Sequence, residues 1–212
     1  MNDPLIEIMT RRRSVRRFKP EPPTDEQVKL LVEAAISAPS AGNKQPWRFI
    51  VVKQKDTIQQ AAEQVEQECA RIEALVDPMF RDDYRGYAQN FLLFRQAPLL
   101  MVPIFRPIPG LSRIIESRTP EAEKDRRYLR SLEHHSALVS VSMALQNLLL
   151  RAEDMGLGAC CLAGPLIAPD KLRNLFRVPH GWHIALLVAL GEKDEKPRYP
   201  GRKPAQAVIK WL

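Results

Sequence analysis

The sequence predicts a single domain in which helices and strands are interspersed, of the α/β or the α+β class. Short apolar runs at 47–52, 97–105 and 182–191 have the length and composition of buried strands. Segments with helical spacing of apolar residues lie between them, and a tail rich in proline ends the chain. A chain of 212 residues can bury a core without disulfide bonds or metal ions. We therefore expect residues 1–212 to form one domain.

The first half of the chain is predicted to contain four helices and two strands. An Asp-Pro pair at 3–4 provides a cap and a first turn for a helix that runs to about Arg11. Thr24 and Gln27 have the spacing of a capping box, and the helix that they begin ends before Pro39. The turn-rich segment PSAGNKQP then leads into the first strand. Two further helices are expected before the second strand, at 56–76 and 83–96.

The second half is predicted to combine a long connection, a long helix and an irregular tail. Residues 106–127 contain three prolines and many charges, and such connections are usually functional or mobile. The helix predicted at 131–154 is apolar on more than one face, so it is buried either centrally or against a second copy of itself. The segment GLGACCL at 156–162 follows, and another helix begins near Pro169. The tail KPRYPGRKP cannot form regular structure because its prolines and glycine interrupt both kinds of backbone ladder.

Positive charge is concentrated at the two ends of the chain. The net charge is +7, from 32 basic and 25 acidic side chains. Residues 1–20 and 193–212 contribute +4 each, so the remainder sums to −1. A protein that binds a long polyanion needs basic residues spread over a face. The distribution instead indicates that both ends of the chain contact one compact anion. It argues against nucleic acid as a partner.

Other composition features exclude several classes. Three cysteines without a CxxC pair indicate a reducing, cytoplasmic location, and no apolar run is long enough to span a membrane. The four histidines lack ligand spacing, so no metal is expected. The sequence has no GxSxG, SxxK, P-loop or HExxH motif, which argues against hydrolases and nucleoside triphosphatases.

The first candidate site is the run RRRSVRR at 11–17. On an extended backbone, Arg12, Ser14 and Arg16 lie on one side and could face a phosphate that carries a planar group. A nuclear-localisation or nonspecific polybasic run is the alternative. In the tail, Arg202 and Lys203 are either a second part of this site or a solvated basic end.

Two loops could contact a flat ring. In SAPSAGNKQPWRF at 37–49, Ser40, Asn43 and Gln45 could hydrogen-bond a heteroaromatic edge, although an ordinary turn explains the same residues. The segment GLGACCLAG lacks the GxGxxG order of a dinucleotide loop. Its small residues Ala163 and Gly164 would let a ring approach the backbone closely.

Taken together, these motifs resemble the nitroreductase family of flavin mononucleotide (FMN) enzymes across essentially the whole chain. The segments that carry the resemblance are RRSVRRF, APSAGNKQPWRFIVV, APLLMV, ALQNLLLRAEDMGLGACCLAG, PHGWHIALLVALGEK and YPGRKP. The resemblance implies a homodimeric α+β fold of three layers, α/β/α, with a mixed central sheet and a long buried helix at the dimer interface. It also implies two identical FMN sites, each built from both subunits.

The resemblance assigns roles by position. Arg12 and Ser14 would contact the FMN phosphate, with Arg13 in the same motif, and Arg202 and Lys203 would join them. Arg16 would lie at the pyrimidine edge of the flavin, where positive charge stabilises the reduced ring. Three groups of residues would line the flavin ring. The first is Pro39, Ser40 and Ala41 from the partner subunit, with Asn43 and Gln45 nearby. The second is Asn90, and the third is the backbone of Ala163 and Gly164, which would face N5.

The mechanism that the resemblance implies has two steps. NADH or NADPH delivers hydride to flavin N5, and an electron-poor acceptor such as a nitroaromatic or a quinone then takes the electrons. No catalytic side chain is expected beyond Arg16, which would tune the flavin, and residues 106–130 would form a variable cap. A flavin-dependent dehydrogenase or dehalogenase is one alternative, and a basic nucleic-acid-binding module is another.

Overall fold

A five-stranded sheet forms the centre of the computed structural model, which describes residues 3–116 and 119–212. Its order is β1-β2-β5-β3, and the short β4 pairs with residues 104–105 of β2. Within the described residues every strand pair is antiparallel. The strands are β1 (Trp47–Val52), β2 (Leu99–Phe105), β3 (Leu157–Leu162), β4 (His183–Ile184) and β5 (Leu187–Glu192).

Seven α-helices surround the sheet in the part of the chain that the structure describes. They are α1 (Pro4–Arg11), α2 (Asp25–Ile36), α3 (Lys55–Glu73), α4 (Arg81–Ala88), α5 (Leu111–Ile114), α6 (Pro120–Asp154) and α7 (Pro169–Leu175). The predicted capping box is present at the start of α2. The predicted run at 182–191 is divided into β4 and β5, because its pairing with β2 shifts by one residue between Ile184, which lies opposite Ile104, and Val188, which lies opposite Met101.

Side chains of β2 alternate between two cores. All seven residues of β2 are buried. Leu99, Met101 and Phe105 pack with residues of α2 and α6 on one face. Leu100, Val102 and Ile104 pack with residues of α3 and α7 on the other. The sheet therefore lies between two helical layers, which confirms the predicted α/β/α arrangement.

The predicted mixed sheet is present only as one parallel bridge. Ser14 pairs in parallel with Ala159 of β3, and no longer parallel ladder forms among the described residues. The next two amides, those of Arg16 and Arg17, donate to the Glu195 side chain instead of to a strand. A carboxylate therefore replaces the strand partner, and the parallel pairing stops after one residue.

Helix α6 is longer than the sequence analysis predicted. It begins at Pro120 rather than near 131, because the Thr119 hydroxyl accepts a hydrogen bond from the Ala122 amide. Pro120 suits the first turn, where its missing amide hydrogen is not needed. The predicted connection at 106–127 is correspondingly shorter and contains α5.

Helix α4 is shorter than predicted. It ends at Ala88, and a single 3-10 turn follows at Gln89–Leu92. The Asn90 side chain donates to the Tyr87 carbonyl, which satisfies one of the acceptors left at the helix end.

Candidate functional site

A basic cleft lies between two segments from opposite ends of the chain, the arm (residues 12–19) and the tail (residues 193–204). Its volume is about 520 Å³, which is within the range of small-molecule sites. Seven cationic side chains and one carboxylate line it. The lining residues are Arg12, Arg13, Ser14, Arg16, Arg17, Glu195, Lys196, Pro197, Arg198, Pro200 and Arg202. Such a cleft favours a compact anion.

The arm is held against strand β3. The Val15 amide donates to the Ala159 carbonyl at 3.0 Å, and the Val15 side chain is fully buried. Val15 packs directly over Gly158, where an added Cβ would lie 2.7 Å from a Val15 methyl. Burial of Val15 fixes the arm on β3, and the residues on either side of it, Ser14 and Arg16, line the cleft.

The tail is held against the arm. The Lys19 amide donates to the Glu192 carbonyl at 3.0 Å, and the Asp194 amide donates to the Arg17 carbonyl at 3.1 Å. The Glu195 carboxylate then accepts from the amides of Arg16 and Arg17, at 2.5 and 3.2 Å. These contacts place the first residues of the tail beside the arm.

A buried glutamate of α6 anchors both the arm and the tail. Glu153 is only 5% exposed and accepts from Arg11 Nε at 3.0 Å and from Lys193 Nζ at 2.7 Å. One carboxylate thus pairs with the residue that precedes the arm and with the first residue of the tail. Neither Glu153 nor Glu195 is predictable from the sequence as an anchor, because a glutamate within a helix or a charged tail has no local signature.

The cleft brings together five of the predicted site residues. Arg12, Arg13, Ser14, Arg16 and Arg202 all line it, although they come from opposite ends of the sequence. Lys203, the other predicted tail residue, is exposed and does not line the cleft.

A second group of predicted residues lies in a separate loop. Ser40 Oγ accepts from the Gln45 amide at 3.0 Å, and the Gln45 side chain donates to Asn43 Oδ1 at 3.2 Å. Asn43 and Gln45 have φ values of 51° and 44°, in the left-handed region that non-glycine residues rarely adopt. Pro39, Ser40 and Ala41 line a groove of about 430 Å³ against α6, and none of them lines the basic cleft.

A third group lies where β3 ends. Gly164 is packed against the Phe91 ring, so closely that an added Cβ would lie 2.0 Å from a ring carbon. This contact brings Asn90, the neighbour of Phe91, to the same end of the sheet as Ala163 and Gly164. Ala163 is exposed.

The cysteines of β3 are not poised for chemistry. Burial raises the pKa of Cys161 to about 12 and also raises that of Cys160. The reactive thiolate form is therefore disfavoured at both positions. Across residues 3–116 and 119–212, no three His, Cys, Asp or Glu side chains are grouped so as to hold a metal ion. None of the helices described is both long and apolar enough to cross a bilayer.

Comparison with known proteins identifies the family. The model of the Nitroreductase family matches residues 9–192. The chain belongs to the nitroreductase family. As a member it is an oxidoreductase, so the predicted family and enzyme class are confirmed.

Individual relatives of the family match almost the whole chain. A protein named NADH dehydrogenase from Thermus thermophilus is 26% identical over 98% of this chain and 97% of its own length. Iodotyrosine deiodinase from Thermotoga neapolitana is 29% identical over 92% of each chain.

Solved structures show the same nitroreductase fold. A BluB-like flavoprotein from Clostridium difficile has a TM-score of 0.84 at 23% identity, with both chains fully covered. A nitroreductase with bound FMN from Desulfitobacterium hafniense has a TM-score of 0.74 at 24% identity, also with full coverage. At this level of identity the similarity establishes the fold alone.

Proposed function

We propose that this nitroreductase-family protein is an FMN-dependent oxidoreductase that passes hydride from NADH or NADPH to an electron-poor acceptor, such as a nitroaromatic or a quinone. The observation that carries the proposal is the basic cleft, in which arm and tail converge on a volume suited to one compact anion. The names of relatives support it, since one has bound FMN and another is called NADH dehydrogenase.

The lining of the cleft suits a phosphate attached to a flavin. Guanidinium groups of Arg12 and Arg202 and the hydroxyl of Ser14 are donors that phosphate oxygens prefer. Arg16 lies further along the same side of the arm, where it would meet the ring rather than the phosphate. FMN would supply the hydride-accepting N5, and the chain would bind it, orient it and polarise it. The proton would come from solvent or substrate.

A homodimer would complete the site. The groove beside Pro39, Ser40 and Ala41 lies apart from the basic cleft, so one chain does not bring the predicted phosphate and ring contacts together. Helix α6 buries one face in its own core and exposes an apolar stripe on another. This stripe consists of Leu132, Val139 and Met143. A second copy that covers it could present its own loop to this chain's flavin.

FMN binding is the first test of the proposal. The purified chain should be yellow, or should quench FMN fluorescence at micromolar concentrations. It should then oxidise NADH or NADPH with nitroaromatic or quinone acceptors. Iodotyrosine belongs in the acceptor panel because of the deiodinase relative, which keeps flavin-dependent dehalogenation as the second candidate. A chain that ignores FMN but binds DNA or RNA in a strongly salt-dependent manner would overturn the proposal.

Replacing Arg202 with alanine should weaken FMN binding about tenfold to a hundredfold. The reason is the loss of a charge-assisted hydrogen bond to the phosphate, which contributes roughly 1.5–3 kcal/mol. Fluorescence titration measures the affinity, and Lys210→Ala serves as a control that removes a positive charge beyond the tail and outside the cleft. Equal affinities of the two variants would remove Arg202 from the phosphate site. The same titration with Lys203→Ala tests whether that exposed residue contributes.

Replacing Arg16 with alanine should lower the reduction potential of bound FMN by about 30 mV and slow its reduction by NADH. A positive charge beside the ring favours the reduced anionic flavin, and this potential change corresponds to about 1.4 kcal/mol for two electrons. Spectroelectrochemical titration of the FMN-loaded protein measures it, again with Lys210→Ala as control. A potential that matches the control would exclude Arg16 from contact with the ring.

A further inference from the structure

A second groove, separate from the basic cleft, contains three arginines from two consecutive helices. Arg113 lies in α5, whereas Arg126 and Arg130 lie one turn apart on α6. The groove has a volume of about 620 Å³, and Pro107, Ile108 and Pro109 form an apolar wall. Like charges four residues apart on a helix repel each other weakly, so an anion bound between them would relieve that repulsion.

These arginines are poorly neutralised by the protein. Within residues 3–116 and 119–212, neither Arg113 nor Arg130 forms an ion pair. Arg126 lies 3.7 Å from Glu123, and its buried Nε has no hydrogen-bond partner in the described structure. The groove therefore presents donors that could bind a ligand anion.

The carboxylate in the lining of the groove is already engaged. Glu133 accepts from the Gly110 amide at 2.7 Å, from Ser112 Oγ at 2.6 Å and from the Ser112 amide at 3.1 Å. Burial opposes the charge of Glu133, but these hydrogen bonds outweigh it and keep the pKa of Glu133 below its ordinary value. The charge of Glu133 thus holds the 110–112 segment to α6, and it does not neutralise the arginines.

An apolar cavity adjoins both the groove and the 39–45 loop. It has a volume of about 380 Å³ and shares Ile108 and Glu133 with the groove. Leu111, Ile114 and Leu129 form its walls, and Ala41 lines its far side. Ala41 belongs to the loop that, under the proposed function, faces the flavin of the partner subunit. The cavity could therefore hold the body of an acceptor between that flavin and the arginines.

We propose that Arg113, Arg126 and Arg130 form a binding subsite for an anionic group, a carboxylate or a phosphate, on the electron acceptor. The aromatic body of the acceptor lies in the adjoining apolar cavity. This inference rests on the proposed function and narrows its substrate class to amphiphilic acceptors with an acidic end. The arginines bind and orient the acceptor, and they take no part in the transfer of hydride.

Matched acceptors test the subsite with the FMN-loaded protein and saturating NADH. The acceptors are 4-nitrobenzoate, the longer 4-nitrocinnamate, and their methyl esters, which lack the negative charge. We expect Arg130→Gln and Arg113→Gln each to lower the acid-to-ester ratio of kcat/KM about tenfold, mainly through KM, since each removes a charge-assisted hydrogen bond. Added salt should lower the same ratio in the unmodified protein.

Arg127→Gln is the matched control. Arg127 is exposed, lies one residue from Arg126 and is rotated away from both cavities by the helix. An acid-to-ester ratio that is equal in Arg130→Gln, Arg127→Gln and the unmodified protein would overturn the inference. The inference would also be overturned if Arg130→Gln had a lower preference for NADPH over NADH while its acid-to-ester ratio stayed unchanged. The anion bound by the arginines would then be the additional phosphate of NADPH. Failure of the proposed function looks different, as absence of FMN binding or of turnover with the esters.

Discussion

Replacing Glu153 with alanine is expected to lower the free energy of unfolding by about 2 kcal/mol and to weaken FMN binding about tenfold. The carboxylate is buried and pairs with both Arg11 and Lys193. Breaking a fully buried ion pair costs about 3–5 kcal/mol, but both cations here retain some contact with water, which reduces the cost. Affinity falls as well, because the arm and the tail each lose an anchor to α6.

Chemical denaturation and FMN titration measure the two effects of Glu153→Ala. Asp154→Ala is the matched control, since Asp154 is exposed and pairs only with its helix neighbour Arg151 among the described residues. Glu153→Gln should give an intermediate result because the amide oxygen can still accept one hydrogen bond. If Glu153→Ala unfolds and binds FMN as Asp154→Ala does, the anchoring role of Glu153 is wrong.

Replacing Gly158 with alanine is expected to displace the arm, with a loss of stability of about 1–3 kcal/mol and of FMN affinity by at least about tenfold. The new methyl group would lie 2.7 Å from one Val15 methyl and 2.8 Å from Val15 Cβ. Since Cβ is bonded to the backbone, rotation of the Val15 side chain cannot relieve the overlap. The arm itself must move away from β3 and carry Ser14 and Arg16 with it.

Two variants make the Gly158→Ala experiment decisive. Gly86→Ala in α4 adds a methyl group where no atom lies within 4 Å, so it should leave FMN affinity unchanged. The double variant Val15→Gly, Gly158→Ala removes the Val15 Cβ together with its methyl groups, and it should recover part of the affinity. Unaltered FMN binding in Gly158→Ala would show that the position of the arm does not depend on this contact.

The net charge of the middle of the chain does not show which of its charged residues become neighbours. The −1 sum for the middle residues suggested that only the two ends meet an anion. Arg113, Arg126 and Arg130 lie in that nearly neutral region and still gather in one groove. A sum over many residues cannot show which charges become neighbours, because the fold brings segments together that the sequence separates.

Local signals were sufficient for several elements. The capping box of Thr24 and Gln27 starts α2 because both hydrogen bonds form within one turn of helix. The continuous apolar run of β2 predicted a strand buried on both faces, since each of its faces must meet a hydrophobic layer. Alternation along an extended arm predicted that Arg12, Ser14 and Arg16 face one ligand, but Arg13 and Arg17 line the same cleft, so alternation alone does not select the lining.

Other features depend on contacts between residues far apart in the chain. Glu195 ends the parallel pairing of the arm from 178 and 179 residues away, and Glu153 meets Arg11 across 142 residues. No periodicity or spacing in the sequence encodes such pairs. The sequence therefore specified the helices, the buried strands and the family, because backbone hydrogen bonding and hydrophobic burial act over a few residues. The folded chain alone determined which carboxylates hold the cleft together and where the arginine groove forms, because those depend on the packing of whole elements.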